Sequence, residues 1–544
     1  MKVTIKDKTI ELSKGKEVAE IAKEEIEKSD NLVIACKINN RTRPLNYIIK
    51  EDCKIDLIDI SSKDGMRIYT RSLLYIMGKA FSEVYPDALL TVNYQLSNAM
   101  YCKVENKTVT EEMIQKVDKK MKEIIQNNIP IIKVNMTKEE AEAFYEKEKT
   151  LKGKLQLDMK QNVCLYFCED YYNYFYGIMP PSTGYTKIYG IRKYQEGFLV
   201  RYPSRQDTKQ LPLFKESKKL LATLEDYEDI HRILNVNTVY KLNKAIKEGK
   251  VKDIIMLDEA LHEKKLAAIA DKIASRKEVK VVLIAGPSSS GKTTFAQRLG
   301  LQLRLNGLKP VTISVDNYFV ERADTPKDEN GKYDFERLEA IDLKLFNEHL
   351  TKLLAGEEIE MPTFDFETGT KRYNGNYLKL RKDEILVIEG IHCLNDKLTE
   401  SINKENKYKI YVSALTVLNI DYYNRISTTD TRLVRRIVRD HQFRGYSALH
   451  TLQTWDSVNR GENQYIFPYQ EGVDSMFNTS LIYELAVLKN DARPLLEEID
   501  TTHPEYSEAK RIYEFLKYFE PIDPDEVPKN SLLREFIGGG NFKY

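Results

Sequence analysis

Residues 286–293 read Gly286-Pro287-Ser288-Ser289-Ser290-Gly291-Lys292-Thr293, a pattern built for phosphate chemistry when it links a strand to a helix. The apolar run Val281–Ala285 leads into it, and Phe295-Ala296-Gln297-Arg298-Leu299 continues as helix. Glycines let the backbone bend until successive N–H groups of Ser288, Ser289, Ser290 and Thr294 point at phosphate oxygens. The helix N-terminus adds the positive end of its dipole. Lys292 supplies a point charge for the β- and γ-phosphates, and the Thr293 hydroxyl can sit on Mg²⁺. A Ser/Gly-rich turn that binds nothing is the plain alternative, and eight matching positions after a buried strand speak against it. The expected ligand is a nucleoside triphosphate with Mg²⁺.

Three further features narrow the chemistry. Thr312–Val315 reads as a second strand ending in Asp316, a carboxylate placed to take or orient the proton of an attacking hydroxyl. Glu384–Ile388 reads as a buried strand ending in Glu389, placed to hold Mg²⁺ directly or through water. Arg432, Arg435, Arg436 and Arg439 recur at spacings of three and four, so they share one helical face. Such a face repels itself without an anion, and a triphosphate would supply one; a solvated charged surface is the alternative.

The elements that must position these groups belong to a chain of 544 residues, enough for several domains. Lys and Arg total 84 against 83 Asp and Glu, so no bulk field advertises nucleic acid or membrane. No apolar run approaches a membrane span, and the first residues carry no signal-peptide core. Six scattered cysteines form no disulfide framework, which fits a cytoplasmic setting; Cys164 and Cys168 read as buried small apolar residues. All seven histidines lie at or after His231, which argues against imidazole chemistry in the first 230 residues.

Residues 1–60 read as a small sheet: a hairpin of Val3–Ile5 with Lys8–Leu12, a helix near 17–27 capped by Ser13, then strands at Leu32–Cys36 and Ile55–Ile58. Residues 61–205 form a second unit, with helices near Ser72–Val84 and Glu111–Asn127 and Tyr-rich strands at Val163–Tyr176 and Tyr185–Tyr202. Residues 206–278 read as a helical connector, 279–490 as the phosphate-loop unit, and 491–544 as a helical tail.

In this order, the motifs of 279–490 resemble the uridine kinase and phosphoribulokinase family, specifically its uridine/cytidine kinase branch. The resemblance implies that Asp316, in Asp316-Asn317-Tyr318-Phe319, is the base toward a sugar 5′-hydroxyl. It places the sugar-diol carboxylate on Glu336, within Phe335–Asp342, and makes Glu389-Gly390 the acidic pair after the Mg²⁺ strand. Lys292, Arg432 and Arg436 would join Asp316 in catalysis, while Arg435 and Arg439 would help the loop hold ATP. Tyr318, Glu336, Phe364 and Arg372 would contact the acceptor, Phe364 by stacking on a base. One departure stands out in Phe364-Asp365-Phe366-Glu367-Thr368-Gly369: Gly369 replaces the family's base-reading histidine, which weakens discrimination at that point.

The N-terminal half resembles threonyl-tRNA synthetases. Residues 1–60 resemble their ubiquitin-like TGS domain, and 61–205 resemble their second additional domain, which edits mischarged tRNA. The fragments that carry the second resemblance are Met136–Ala141 and Pro181-Ser182-Thr183-Gly184. The editing domain's His-x-x-x-His and Cys-x-x-x-His positions fall on Arg71, Tyr75, Phe175 and Met179, so the hydrolytic chemistry is lost. Tyr166, Tyr171, Tyr172, Tyr174, Tyr176, Tyr185 and Tyr189 among Lys187, Arg192 and Lys193 could stack on RNA, but half-buried strand packing explains them better.

The expected architecture is therefore multidomain: a ubiquitin-like α+β domain, a synthetase-editing-like α+β domain, then a P-loop NTPase α/β domain with a parallel sheet. The expected activity is ATP/Mg²⁺-dependent phosphorylation of a nucleoside 5′-hydroxyl, uridine or cytidine first, in the cytoplasm, with no membrane partner and a homo-oligomer possible. The rival is an RNA- or ribosome-associated ATPase that uses the synthetase-like half to bind tRNA-like RNA.

Overall fold

The computed structural model describes residues 1–147, 162–327, 331, 333–365 and 368–543; Phe366 and Glu367 of the expected acceptor segment lie outside the described residues. At the N-terminus, five strands order as Lys8–Glu11, Lys2–Ile5, Cys53–Asp59, Val33–Ile38 and Arg41–Pro44. Alternation puts Val3 and Ile5 inside, and the hairpin pairs Val3 with Ile10. The expected single helix is two short ones, Val18–Ile21 and Lys23–Glu27, split at Ala22 (φ −96°, ψ 14°). Ser13 does not cap them; Glu17 takes that position without a side-chain bond, because the N–H of Val18 instead donates to the Tyr47 carbonyl.

The next helix, Lys63–Val84, begins earlier than the expected Ser72. Ser62 caps it by accepting the N–H of Gly65 at 3.0 Å. Gly65 is required there, since a Cβ would lie 1.9 Å from the Asp59 carbonyl oxygen. Helix Glu111–Gln126 is capped by Thr110. Two antiparallel sheets complete this region: Gly190–Tyr194, Gly197–Arg201, Ala99–Val104 and Leu90–Gln95 in one, and Tyr171–Tyr174, Val163–Cys168 and Ile132–Met136 in the other.

The connecting helices Lys218–Ile233, Val239–Lys247 and Val251–Ser275 are packed elements rather than a free linker. Glu263 on the last of them accepts from Arg298 at 2.8 Å, fixing it to the phosphate-loop helix, Lys292–Leu305. Beyond it, five strands form an all-parallel sheet in the order Lys309–Ser314, Glu384–Glu389, Val281–Ala285, Lys407–Ser413, Ser475–Asn478. Val281–Ala285 is fully buried, as expected of a central strand in a sheet covered on both faces. Among the described residues no helix is long and apolar enough to cross a membrane.

The two halves are locked by ions and rings. Arg67, from the first turn of Lys63–Val84, donates to Glu508 at 2.7 Å, and Arg511 bridges Glu508 and Asp430 at 2.7 and 2.6 Å. Tyr174 meets Tyr518 hydroxyl to hydroxyl, and Tyr176 donates to the Arg511 carbonyl. The Tyr-rich strands thus spend their rings on packing: Tyr166, Tyr171, Tyr172 and Tyr174 are all buried.

Candidate active site

Register gathers the site at the C-terminal ends of the parallel strands. Ser314 pairs with Glu389, and Glu389 with Ile284, so the strand ends before Asp316, Glu389 and the loop are neighbours. The loop fits only because Gly286 lacks a side chain: a Cβ there would sit 1.8 Å from the Val412 carbonyl oxygen. Ser289 adopts φ +58°, a left-handed conformation uncommon for a side-chain-bearing residue, and Gly291 adopts φ +81°. Lys292 folds back to donate to the Gly286 and Pro287 carbonyls at 3.0 and 3.2 Å.

The carboxylates meet around that lysine. Asp316 reaches solvent from the turn Val315–Tyr318, yet desolvation by the groups around it raises it above the ordinary carboxylate range, opposed by the charges of Lys292 and Arg444. Burial, with the charge of Asp316, pushes Glu389 up to about 7, although Ser314 Oγ donates to it at 3.0 Å. Burial, with the charge of Glu462, also pushes Glu336 up to about 7, against Arg436 and Lys292. The charges of Lys292 and Asp316 thus act on Glu389 and Glu336 alike.

Arg432, Arg435, Arg436 and Arg439 lie on one helix, Thr428–Arg444, as the spacing predicts, but each already has a carboxylate. Arg432, only 1 % exposed, pairs with Glu462 (Oε2 at 2.7 Å) and donates to the Ser288 carbonyl at 3.0 Å. Arg435 is fully buried against Glu484, the Ser289 carbonyl and Thr479. With Thr479 taking the Ser290 carbonyl at 2.7 Å, these groups bind the loop's carbonyl oxygens. Arg432 and Arg435 thus brace the loop through its carbonyl oxygens, each with its charge paired to a glutamate. Arg436 donates to Ser288 Oγ at 2.9 Å and shares Asp440 with Arg439. Although burial pushes the other way, those two cations hold Asp440 below the ordinary range.

The acceptor residues are dispersed. Tyr318 packs in the core: it is 1 % exposed, with its hydroxyl 3.0 Å from His349 Nδ1 and its ring on Phe346. Phe364 is buried against Phe319, with ring centroids 5.5 Å apart. Arg372 is half exposed and ion-paired to Asp365 at 2.8 Å. Gly369 carries φ +70°, and a Cβ there would strike Arg322 at 2.6 Å, so that corner has no room for a histidine. Glu336 packs on Gly461, where a Cβ would fall 2.4 Å from it.

Among the described residues no three acidic, histidine or cysteine side chains gather as a metal cage. Mg²⁺ carried on a triphosphate needs only one or two protein oxygens, and Thr293 with Glu389 fits that need. Sequence reasoning missed Glu462, which accepts the Ser288 N–H at 2.9 Å, and Glu535, which accepts the Thr294 N–H at 3.1 Å.

Residues 281–482 match the family described as Phosphoribulokinase / Uridine kinase family. They form a domain of that family. The chain is 28% identical over 192 residues to a uridine kinase of Halobacterium salinarum, covering 35% of this chain and 76% of that protein. It is 27% identical over 200 residues to a uridine kinase of Anoxybacillus flavithermus, covering 37% of this chain and 85% of that protein. The part N-terminal to the kinase-family domain is similar to threonine–tRNA ligases: 28% identity over 192 residues to that of Clostridium kluyveri, covering 34% of this chain. The chain spans 30% of that ligase's length.

In the ligase-like part Arg71, Tyr75, Phe175 and Met179 are taken up by packing. Tyr75 stacks edge-on with Tyr171 and Phe175 at 5.0 and 5.5 Å, and Met179 is buried beside them. Arg71 donates to the Ile178 carbonyl at 2.7 Å, lying where a Cβ on Gly177 would strike it.

Proposed function

We propose that the chain is an ATP/Mg²⁺-dependent nucleoside kinase, transferring the γ-phosphate to a nucleoside 5′-hydroxyl, with uridine the leading acceptor and cytidine next. The observation that carries this reading is the convergence of Asp316, Glu389 and Glu336 on Lys292 at the phosphate loop. A hydrolytic switch needs a water-positioning group, but it has no use for a further carboxylate at Glu336. The kinase-family domain and the uridine kinases it resembles support the same chemistry.

In the proposed step, the 5′-oxygen bonds to the γ-phosphorus as the bond to the β–γ bridging oxygen breaks, and ADP leaves. The hydroxyl proton passes to Asp316, whose carboxyl is raised above the ordinary carboxylate range by desolvation, which makes it a stronger base. Lys292 turns from its loop carbonyls to the transferring phosphate, and Arg436 lies beside Glu336 and Ser288 to balance charge. Thr293 and Glu389 would hold Mg²⁺, which neutralises developing charge on the phosphates when bound. Glu336 would grip the sugar diol. With Gly369 in the base-reading corner, the base is read less strictly than the sugar.

ADP release, measured across ribonucleosides, deoxynucleosides and sugar alcohols, tests this. The expected result is stimulation by uridine or cytidine, cut about 10²–10⁴-fold by Asp316→Asn. Hydrolysis that ignores every acceptor and rises with tRNA would replace this reading with the RNA-linked ATPase.

A further inference from the structure

The C-terminal segment lies outside the kinase-family match, yet it is built into the nucleotide site. Leu532, Leu533 and Phe536 are buried, with the Phe536 ring 4.9 Å from the Arg435 guanidinium. Leu532 lies where a Cβ on Gly291 would strike it at 2.6 Å, at the mouth of the phosphate-loop helix. One Glu535 oxygen accepts both the Thr294 N–H at 3.1 Å and the Thr294 hydroxyl at 2.7 Å. Gln442 and Gln297 then donate to the carbonyls of Ile537 and Lys543 at 3.0 and 2.9 Å, tying the segment to the arginine helix and to the phosphate-loop helix.

The Thr294 N–H is among the first four of its helix, which have no intrahelical acceptor. In a phosphate loop these donors, backed by the helix dipole, receive the anionic phosphates. A carboxylate already on one of them satisfies the same donor and adds a negative charge where the ligand's charge must go.

We propose that residues 531–543 are a gate over the nucleotide site, and that Glu535 occupies a phosphate seat which ATP must take from it. The inference rests on the ATP reading above. Apparent nucleotide affinity is then the intrinsic affinity scaled by the open fraction. ATP binding costs the Glu535–Thr294 contact, so the segment loosens as the nucleotide enters.

Two measurements on the full chain test it: equilibrium binding of ATP/Mg²⁺ to wild type, Glu535→Gln and Lys292→Ala, and amide hydrogen exchange of 531–543 in wild type with and without ATP. The amide keeps the shape but drops the charge, so ATP should bind about tenfold more tightly to Glu535→Gln. Exchange over 531–543 should quicken when ATP is added, a readout that needs no variant to fold. Equal affinity for wild type and Glu535→Gln, or slower exchange with ATP, overturns the gate while ATP binding itself stands. Failure of both wild type and Glu535→Gln to bind ATP overturns the gate together with the nucleotide reading.

Discussion

Arg71, Tyr75, Phe175 and Met179 fill one pocket with rings and a tethered guanidinium, whereas Asp316, Glu336 and Glu389 line another with carboxylates. In the first, Tyr75, Phe175 and Met179 are buried and no group is left titrating in the neutral range; in the second, Glu336 and Glu389 are half-buried and Asp316 is exposed. The second holds two carboxyls pushed to about 7 and a third raised with them. In the first pocket, burial is repaid by dispersion and by bonds such as Tyr75 Oη to the Tyr166 carbonyl at 2.9 Å. In the second, the partial desolvation of the carboxyls is a standing cost that makes chemical sense when substrate, metal and phosphate arrive to balance the charges. The difference shows how one chain can convert one site into core and keep another poised.

The largest expected effect comes from emptying the filled pocket. Tyr75→Ala should cost about 3–5 kcal/mol in urea unfolding, since the side chain is fully buried between two rings. Asp316→Asn should change stability by less than about 0.5 kcal/mol, because the side chain is exposed. Equal losses from both changes would erase the contrast between the pockets.

The contrast also has a pH signature. Glu336 and Glu389 sit near 7 in the fold against an ordinary 4.5, so between those values the folded chain holds protons that the unfolded chain has released. Stability should therefore fall as pH rises from about 5 to 7, by up to about 1.4 kcal/mol per unit for each group. Glu389→Gln should flatten that slope when melts are compared across this range. An unchanged slope would show that Glu389 ionises normally.

How much of this was legible in the sequence depends on how local each relation is. The phosphate loop was readable because its eight residues are consecutive, and Asp316 and Glu389 because each ends an apolar run that a parallel sheet aligns. The arginine spacing predicted the helix but not its anions: Glu462 and Glu484 lie 30 and 49 residues further along, and their role exists only after folding. Glu535 reaches Thr294 across 241 residues, which no spacing rule reports. Tyr318 was placed on the right loop, but the 3-10 turn Val315–Tyr318 points its ring at His349, a direction that sequence does not encode. Ser13 failed as a cap for a related reason, since a strand-side carbonyl at Tyr47 satisfies the helix start first.

The finest test compares two hydroxyls, one from each pocket. Tyr166 donates to the Gly177 carbonyl, and Ser314 donates to Glu389. Tyr166→Phe removes one neutral bond from the filled pocket and should cost about 0.5–1.5 kcal/mol, with no change in how activity depends on pH. Ser314→Ala should cost no more in stability, but it removes a donor that favours the charged form of Glu389. The carboxyl should then titrate still higher, moving the acid limb of ADP release upward by less than about one pH unit. A profile that moves with Tyr166→Phe, or stays fixed with Ser314→Ala, would mean that the hydroxyls in the two pockets do not differ in kind, because of the two only Ser314 bonds directly to an ionising carboxylate.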